Sequence, residues 1–200
     1  LAESKGLPPY DRTFADHFAA NGILAQGVEG LDVGGIRFRN IAGFAVLVSG
    51  SAGVRIDSIS VADSGSRGPK GRNNTTGGVL VEDGSTKFQI VDSVFRNILG
   101  NAVWTHSRYQ APRNADGLIR GNTISGNSAG AAFCSGLVRD NAITGNGPAG
   151  GLYFCDGEIA GNRIVGNYAD SYGGGLYSCA ADIHNNVIAG NSAAREGGGL

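Results

Sequence analysis

The chain has 200 residues, enough for one domain with a sizeable core. A net charge of −1 offers nothing special to nucleic acid or an anionic membrane surface, and no apolar run approaches the ~18–20 residues of a membrane-spanning helix. The 35 glycines exclude a helix bundle, because each interior glycine costs roughly 0.5–1 kcal/mol against alanine.

Residues 1–21 read as a lead-in or capping segment. Leu7-Pro8-Pro9-Tyr10 is extended or turn-like, and Thr13–Ala20 fits one short helix with Thr13 as its N-cap and Asp16 three residues on. After it, apolar residues fall into columns. One column runs Val33, Ile56, Ile90, Ile119, Val138, Ile159, Ile183; a second, five residues later, runs Phe38, Val61, Phe95, Ile124, Ile143, Ile164, Ile188. The steps along each column are 23, 34, 29, 19, 21 and 24 residues. Self-similarity of this size means a solenoid of stacked coils.

Each coil has room for three short strands. The third set is Ala45–Val48, Val79–Val81, Ala102–Thr105, Leu152–Phe154 and Leu176–Ser178. Short runs rich in Val, Ile, Phe and Tyr, bounded by Gly and Asn, are strand signals, and helical spacing is absent.

The steps of 34 and 29 hold insertions, Asp63 to Gly78 and Thr105 to Gly117, on neighbouring coils. Functional side chains tend to ride on such loops above a rigid scaffold. The first carries Arg67, Lys70 and Arg72. The second carries Arg108, Tyr109 and Arg113, with Trp104 and His106 on the strand leading in. The two loops leave opposite ends of one strand stack and can wall a groove with Glu82 and Asp83 near its floor. Arginine pairs with carboxylate or sulfate groups through two hydrogen bonds, and aromatic faces suit sugar rings. The bland alternative is that these are solvated loop charges.

From residue 118 the sequence becomes regular. The phrase Ile119-Arg-Gly-Asn122-Thr-Ile124-Ser-Gly126-Asn127 returns at Val138–Asn146, Ile159–Asn167 and Ile183–Asn191. Its asparagines form two columns, and buried amides at turns can bond the backbone and one another as ladders. Cys134, Cys155 and Cys179 form another column. An odd number without Cys-x-x-Cys spacing argues against zinc. The column reads as a stack of free thiols, with Cys134–Cys155 and Cys155–Cys179 as the pairs near enough to bridge. Tyr153 and Tyr177 align. His17 and His184 read as incidental, His184 lying beside the asparagine column. Gly173-Gly-Gly-Leu176 opens one repeat and Gly197-Gly-Gly-Leu200 the next, so the expectation is that further coils and a cap follow.

The Asn-x-Ile-x-Gly-Asn phrase and the Gly-Gly-Gly-Leu-Tyr opening resemble the right-handed parallel β-helix of the pectate-lyase-like, or pectin-lyase-fold, superfamily. The resemblance covers residues 22–200 and implies an all-β solenoid of about seven coils with three short strands per coil. Lyases of that superfamily remove a proton beside a uronate with a basic residue, often with calcium or an arginine neutralising the carboxylate. The resemblance therefore implies a catalytic role for Lys70, Arg72, Arg108 or Arg113, and His106 as an acid or base. Arg67, Trp104, Tyr109 and Glu82 would contact substrate, and Asp83 and Asp116 would hold calcium. Asn114-Ala-Asp116-Gly117 is similar to a motif of polygalacturonase-type hydrolases, but that family's paired Asp-Asp, Gly-His-Gly and Arg-x-Lys are missing, and Asp-Gly reads as a turn.

The resulting expectation is a monomeric, secreted or cell-surface protein that binds or cleaves an acidic polysaccharide. It would be a polysaccharide lyase rather than a glycoside hydrolase. The competing reading is a non-catalytic, adhesin-like solenoid, favoured by the monotonous half after residue 118.

Overall fold

The computed structural model of the chain describes residues 20–66, 76–105 and 112–200. The lead-in helix expected at Thr13–Ala20 falls almost wholly outside them. The described residues form three parallel sheets of seven strands each and one two-stranded sheet. The chain visits the three large sheets in turn, once per coil, and completes seven coils. This is a right-handed parallel β-helix, the hand that parallel crossovers adopt.

The first sheet comprises Ile23–Gln26, Phe44–Ser49, Gly77–Glu82, Asn101–Trp104, Ala129–Ala132, Leu152–Tyr153 and Leu176–Tyr177. The second comprises Asp32–Gly34, Arg55–Asp57, Gln89–Val91, Gly117–Arg120, Ser135–Arg139, Asp156–Ala160 and Ala180–His184. The third comprises Arg37–Arg39, Ser60–Ser64, Val94–Ile98, Thr123–Ser125, Ala142–Thr144, Arg163–Val165 and Val187–Ala189. Tyr168–Ala169 pairs with Ser192–Ala193 beside the last coils.

Both apolar columns hold their register through every coil. Val33 pairs with Ile56, and the line continues through Ile90, Ile119, Val138 and Ile159 to Ile183. Phe38 pairs with Val61, and that line runs through Phe95, Ile124, Ile143 and Ile164 to Ile188. These side chains point inward and meet Val46, Val79, Val103, Ala131 and Leu152 of the first sheet in one continuous core. Alternation along the strands sends the flanking residues outward.

The bend between the second and third sheets is built from one left-handed residue per coil: Gly35, Ser58, Asp92, Gly121, Asp140, Gly161 and Asn185, with φ between 49° and 69°. Gly, Asn and Asp tolerate that conformation best, which explains why they recur at this position.

The two asparagine columns are ladders. Asn122 Nδ2 donates to Asn141 Oδ1 at 3.0 Å, Asn141 to Asn162 at 2.9 Å and Asn162 to Asn186 at 3.0 Å. Asn127, Asn146, Asn167 and Asn191 repeat the arrangement at 2.9–3.0 Å. Each amide nitrogen also donates to a carbonyl one coil back, as Asn141 does to Ile119 O at 3.0 Å. Each Oδ1 additionally accepts a backbone N–H from the preceding coil, as Asn141 Oδ1 does from Asn122 at 2.9 Å and Asn127 Oδ1 from Ile98 at 3.1 Å. Asn122, Asn127, Asn141, Asn146, Asn162 and Asn167 therefore each join three coils. Upstream, where asparagine is lacking, serine takes over: Ser93 N donates to Asn122 Oδ1, and Ser93 Oγ accepts from Ile59 N.

Candidate functional site

The two insertions enter the solenoid on adjacent strands of the first sheet. The first precedes Gly77–Glu82, the second follows Asn101–Trp104, and these two strands pair in parallel. Arg67, Lys70 and Arg72, and likewise His106, Arg108 and Tyr109, lie outside the described residues. Trp104, Glu82, Asp83, Arg113 and Asp116 lie within them.

Both insertions have pinned bases. Thr76 Oγ1 lies 3.0 Å from Ser66 O and 2.9 Å from Leu99 O, drawing the ends of the first together. Asn114 closes the second: its Nδ2 donates to Thr105 O and, at 2.6 Å, to Val81 O. Asn114 Oδ1 accepts from Ser85 N at 2.9 Å, Ser85 Oγ accepts from Ser51 N at 3.1 Å, and Ser51 Oγ accepts from Val28 N at 3.1 Å. A third polar ladder thus runs along the bend between the first and second sheets. Sequence reading missed it, although Ser51, Ser85 and Asn114 each stand five residues before the first apolar column. The resemblance of Asn114–Gly117 to a hydrolase motif resolves into this structural role, with Asp116 in a left-handed turn at φ 56°.

The outer face of the first sheet is apolar, unlike those of the other two. Phe44, Leu47, Leu80, Trp104 and Ala132 form a second buried cluster, against which Phe133 and Tyr153 pack. Trp104 is 8% exposed, its ring centroid 6.0 Å from that of Phe133. Phe133 stacks on Phe154 at 5.1 Å, and Tyr172 on Tyr177 at 6.0 Å. These stacked rings turn their faces to one another.

Glu82 ends the Gly77–Glu82 strand on this same outer face, beyond Leu80. It is 8% exposed. Burial, reinforced by the adjacent Asp83 charge, pushes its carboxyl up from 4.5 to about 8. The strand stops at Glu82, and Asp83 turns away in the left-handed conformation, φ 58°. Asp83 accepts a 2.5 Å hydrogen bond from Ser49 Oγ of the neighbouring coil. It also lines a groove of about 330 Å³ that runs over Gly27, Gly50 and Ser51 to Thr86.

Arg113 points elsewhere. Its side chain is 65% exposed and reaches Asp156 Oδ2 at 3.5 Å, two coils further along the axis. Asp83 and Asp116 stand at opposite ends of the bend between the first and second sheets. Among the described residues no group of three His, Cys, Asp or Glu side chains comes together to hold a metal. Calcium finds no support in this arrangement. Glu158, on the outer face of the second sheet, pairs with Arg139 at 3.2 Å, and His184 Nε2 lies 3.8 Å from the same carboxylate at the surface.

A family model described as periplasmic copper-binding protein (NosD) matches residues 10–200. No curated protein and no solved structure matches the chain.

Proposed function

The chain belongs to the NosD family, and from that premise we propose that it works outside the cytoplasm, in the periplasm, as a non-catalytic β-helix scaffold. One observation carries this reading: each described candidate already has a structural occupation. Trp104 is part of a buried cluster, Asp83 is bonded to Ser49, Asp116 shapes a turn, and Arg113 pairs with Asp156. Glu82 is a buried acid at the end of its strand, its carboxyl pushed up to about 8 by desolvation and by Asp83. The lyase chemistry implied by the pectate-lyase resemblance needs a base and a carboxylate-neutralising cation focused on one point, and the described residues do not supply that focus.

Copper enters through the family's description, and the donor set decides whether it fits here. Copper(I) selects thiolate and thioether sulfur, and copper(II) selects imidazole. The chain has no methionine. Its three thiols are free and line the interior, where they donate to backbone carbonyls at 3.5–3.6 Å. His184, the one described histidine, is engaged with Asn185 and Glu158. The described residues do not fit a copper centre.

A second reading keeps the polysaccharide but not its cleavage. It is favoured by the bracketing of two adjacent first-sheet strands by insertions that carry Arg67, Lys70, Arg72, Arg108 and Tyr109. One set of incubations tests both. The protein is mixed with pectate, alginate or glycosaminoglycan, with and without calcium, and ultraviolet absorbance follows unsaturated product while gel retardation reports binding. The scaffold reading expects no rise in absorbance. A rise abolished by Lys70→Ala or Arg113→Ala would overturn it. Retardation lost in Arg72→Ala and Arg108→Ala, without a rise, would favour the second reading.

A further inference from the structure

The three large sheets carry different outer faces. That of the first is apolar. That of the second mixes charges that pair with one another, Arg55 with Asp57 at 2.6 Å and Arg139 with Glu158 at 3.2 Å. On the third, the two residues flanking each member of the Phe38–Ile188 column face outward by the alternation of the strand. Across all seven strands these positions hold Arg37, Arg39, Arg96 and Arg163 and no aspartate or glutamate; the rest are Ser, Thr, Ala and Val. A chain of net charge −1 thus presents one face of a single, positive sign.

All four arginines are exposed. Arg39 pairs at 3.1 Å with Asp63, a left-handed residue beside the face, and Asp63 in turn accepts from Asn97 Nδ2 at 2.7 Å. Arg37, Arg96 and Arg163 form no ion pair among the described residues. Arg96 and Arg163 stand in the third and sixth strands, each with a strand paired on either side, so their exposure follows from the pleat. Arg37 and Arg39, in the first strand, extend the row over about 24 Å, at about 4.8 Å for each step from strand to strand. Between Arg96 and Arg163 the row continues through the hydroxyls of Thr123, Ser125 and Thr144.

We propose that this face is a binding track for a linear acidic polysaccharide lying along the solenoid axis. Arginine takes carboxylate or sulfate through charge-assisted hydrogen bonds, and hydroxyl side chains trade hydrogen bonds with sugar hydroxyls. The spacing of charge selects the polymer. Duplex DNA carries one charge per ~1.7 Å of axis, far denser than four arginines over about 24 Å. A polysaccharide separates its acidic groups by whole sugar rings. The small side chains between the arginines leave room for those rings against the sheet. The proposal rests on the polysaccharide of the second reading above and moves its contact from the insertions to the third sheet.

The test measures retardation in gels containing alginate. It compares the parent protein, the third-sheet pair Arg96→Ala with Arg163→Ala, and a second-sheet pair, Arg55→Ala with Arg139→Ala, that removes the same charge. Arg96 and Arg163 are exposed and unpaired, so circular dichroism should show the third-sheet variant folded as the parent is. Alginate should retard the parent and uncharged dextran should not. The third-sheet variant should bind roughly tenfold more weakly, and the second-sheet variant should bind as the parent does. Equal weakening of both would reduce the effect to overall charge and overturn the proposal, as would binding of the parent to phosphatidylglycerol vesicles but not to alginate. Arg72→Ala and Arg108→Ala separate this proposal from the second reading. Weakening by those two alone would sink the track and leave the insertions as the site. Weakening by the third-sheet pair supports the track, and if the loop variants then bind as the parent does, the insertions drop out. An unretarded parent would overturn both.

Discussion

At the scale of single residues, a few polar side chains are committed to the interior, Glu82 and the ladder asparagines among them. Glu82 carries a pH dependence whose sign can be worked out. Its folded value, about 8, lies above the ordinary 4.5, so the folded state keeps a proton that the unfolded state releases above about pH 4.5. Stability from this group is full below that pH, declines between about 4.5 and 8, and is lost above 8. The melting midpoint should fall between pH 5 and 9. Glu82→Gln should flatten that fall and raise the midpoint at pH 9, by an amount corresponding to a few kcal/mol; parallel profiles for the two proteins would refute the assignment. Asn141 is the second residue of consequence. Asn141→Ala leaves Ile119 O without its donor and Asn122 without its acceptor, both in the core. The cost should be about 1–3 kcal/mol for each orphaned group, read as a lower denaturant midpoint at unchanged slope.

At the scale of elements, the apolar columns govern the strands. Ile143 is fully buried between Ile124 and Ile164. Ile143→Asn places an amide there without a partner, outside both ladders, and should cost several kcal/mol; an unaltered thermal midpoint would contradict the inward assignment. These columns were legible from sequence because a coil has a nearly fixed length and each core position tolerates only Val, Ile or Phe. The first-sheet strand Ala129-Gly130-Ala131-Ala132 was not legible. Its residues are poor strand formers, and it is held by pairing with Asn101–Trp104 on one side and Leu152–Tyr153 on the other. Only glycine is accommodated at 130, because a side chain there would strike Gly151 O. The site was less legible than the fold. Charge and insertion length identified the loops, but Arg113's engagement with Asp156 depends on contacts two coils away, and the protonation of Glu82 depends on burial by residues distant in sequence.

At the scale of the whole molecule, each coil touches mainly its two neighbours, so stability is close to a sum of coil and interface contributions. Ile143→Asn should therefore loosen its own coil and its neighbours first, leaving part of the circular dichroism signal intact at that temperature. Loss of the whole signal in one step would mean that the solenoid unfolds as a single indivisible unit.

The asparagine ladders give the molecule a direction. Six of the amides, Asn141 among them, donate forward to the next coil's oxygen and backward to the previous coil's carbonyl, so a whole coil copied into the stack brings the groups its neighbours need on both sides. A stretch shorter or longer than a coil breaks both ladders at once. Such a chain can be lengthened or shortened by duplication or loss only in integral steps, and its present number of coils is a reading on a counter rather than a property fixed by the fold.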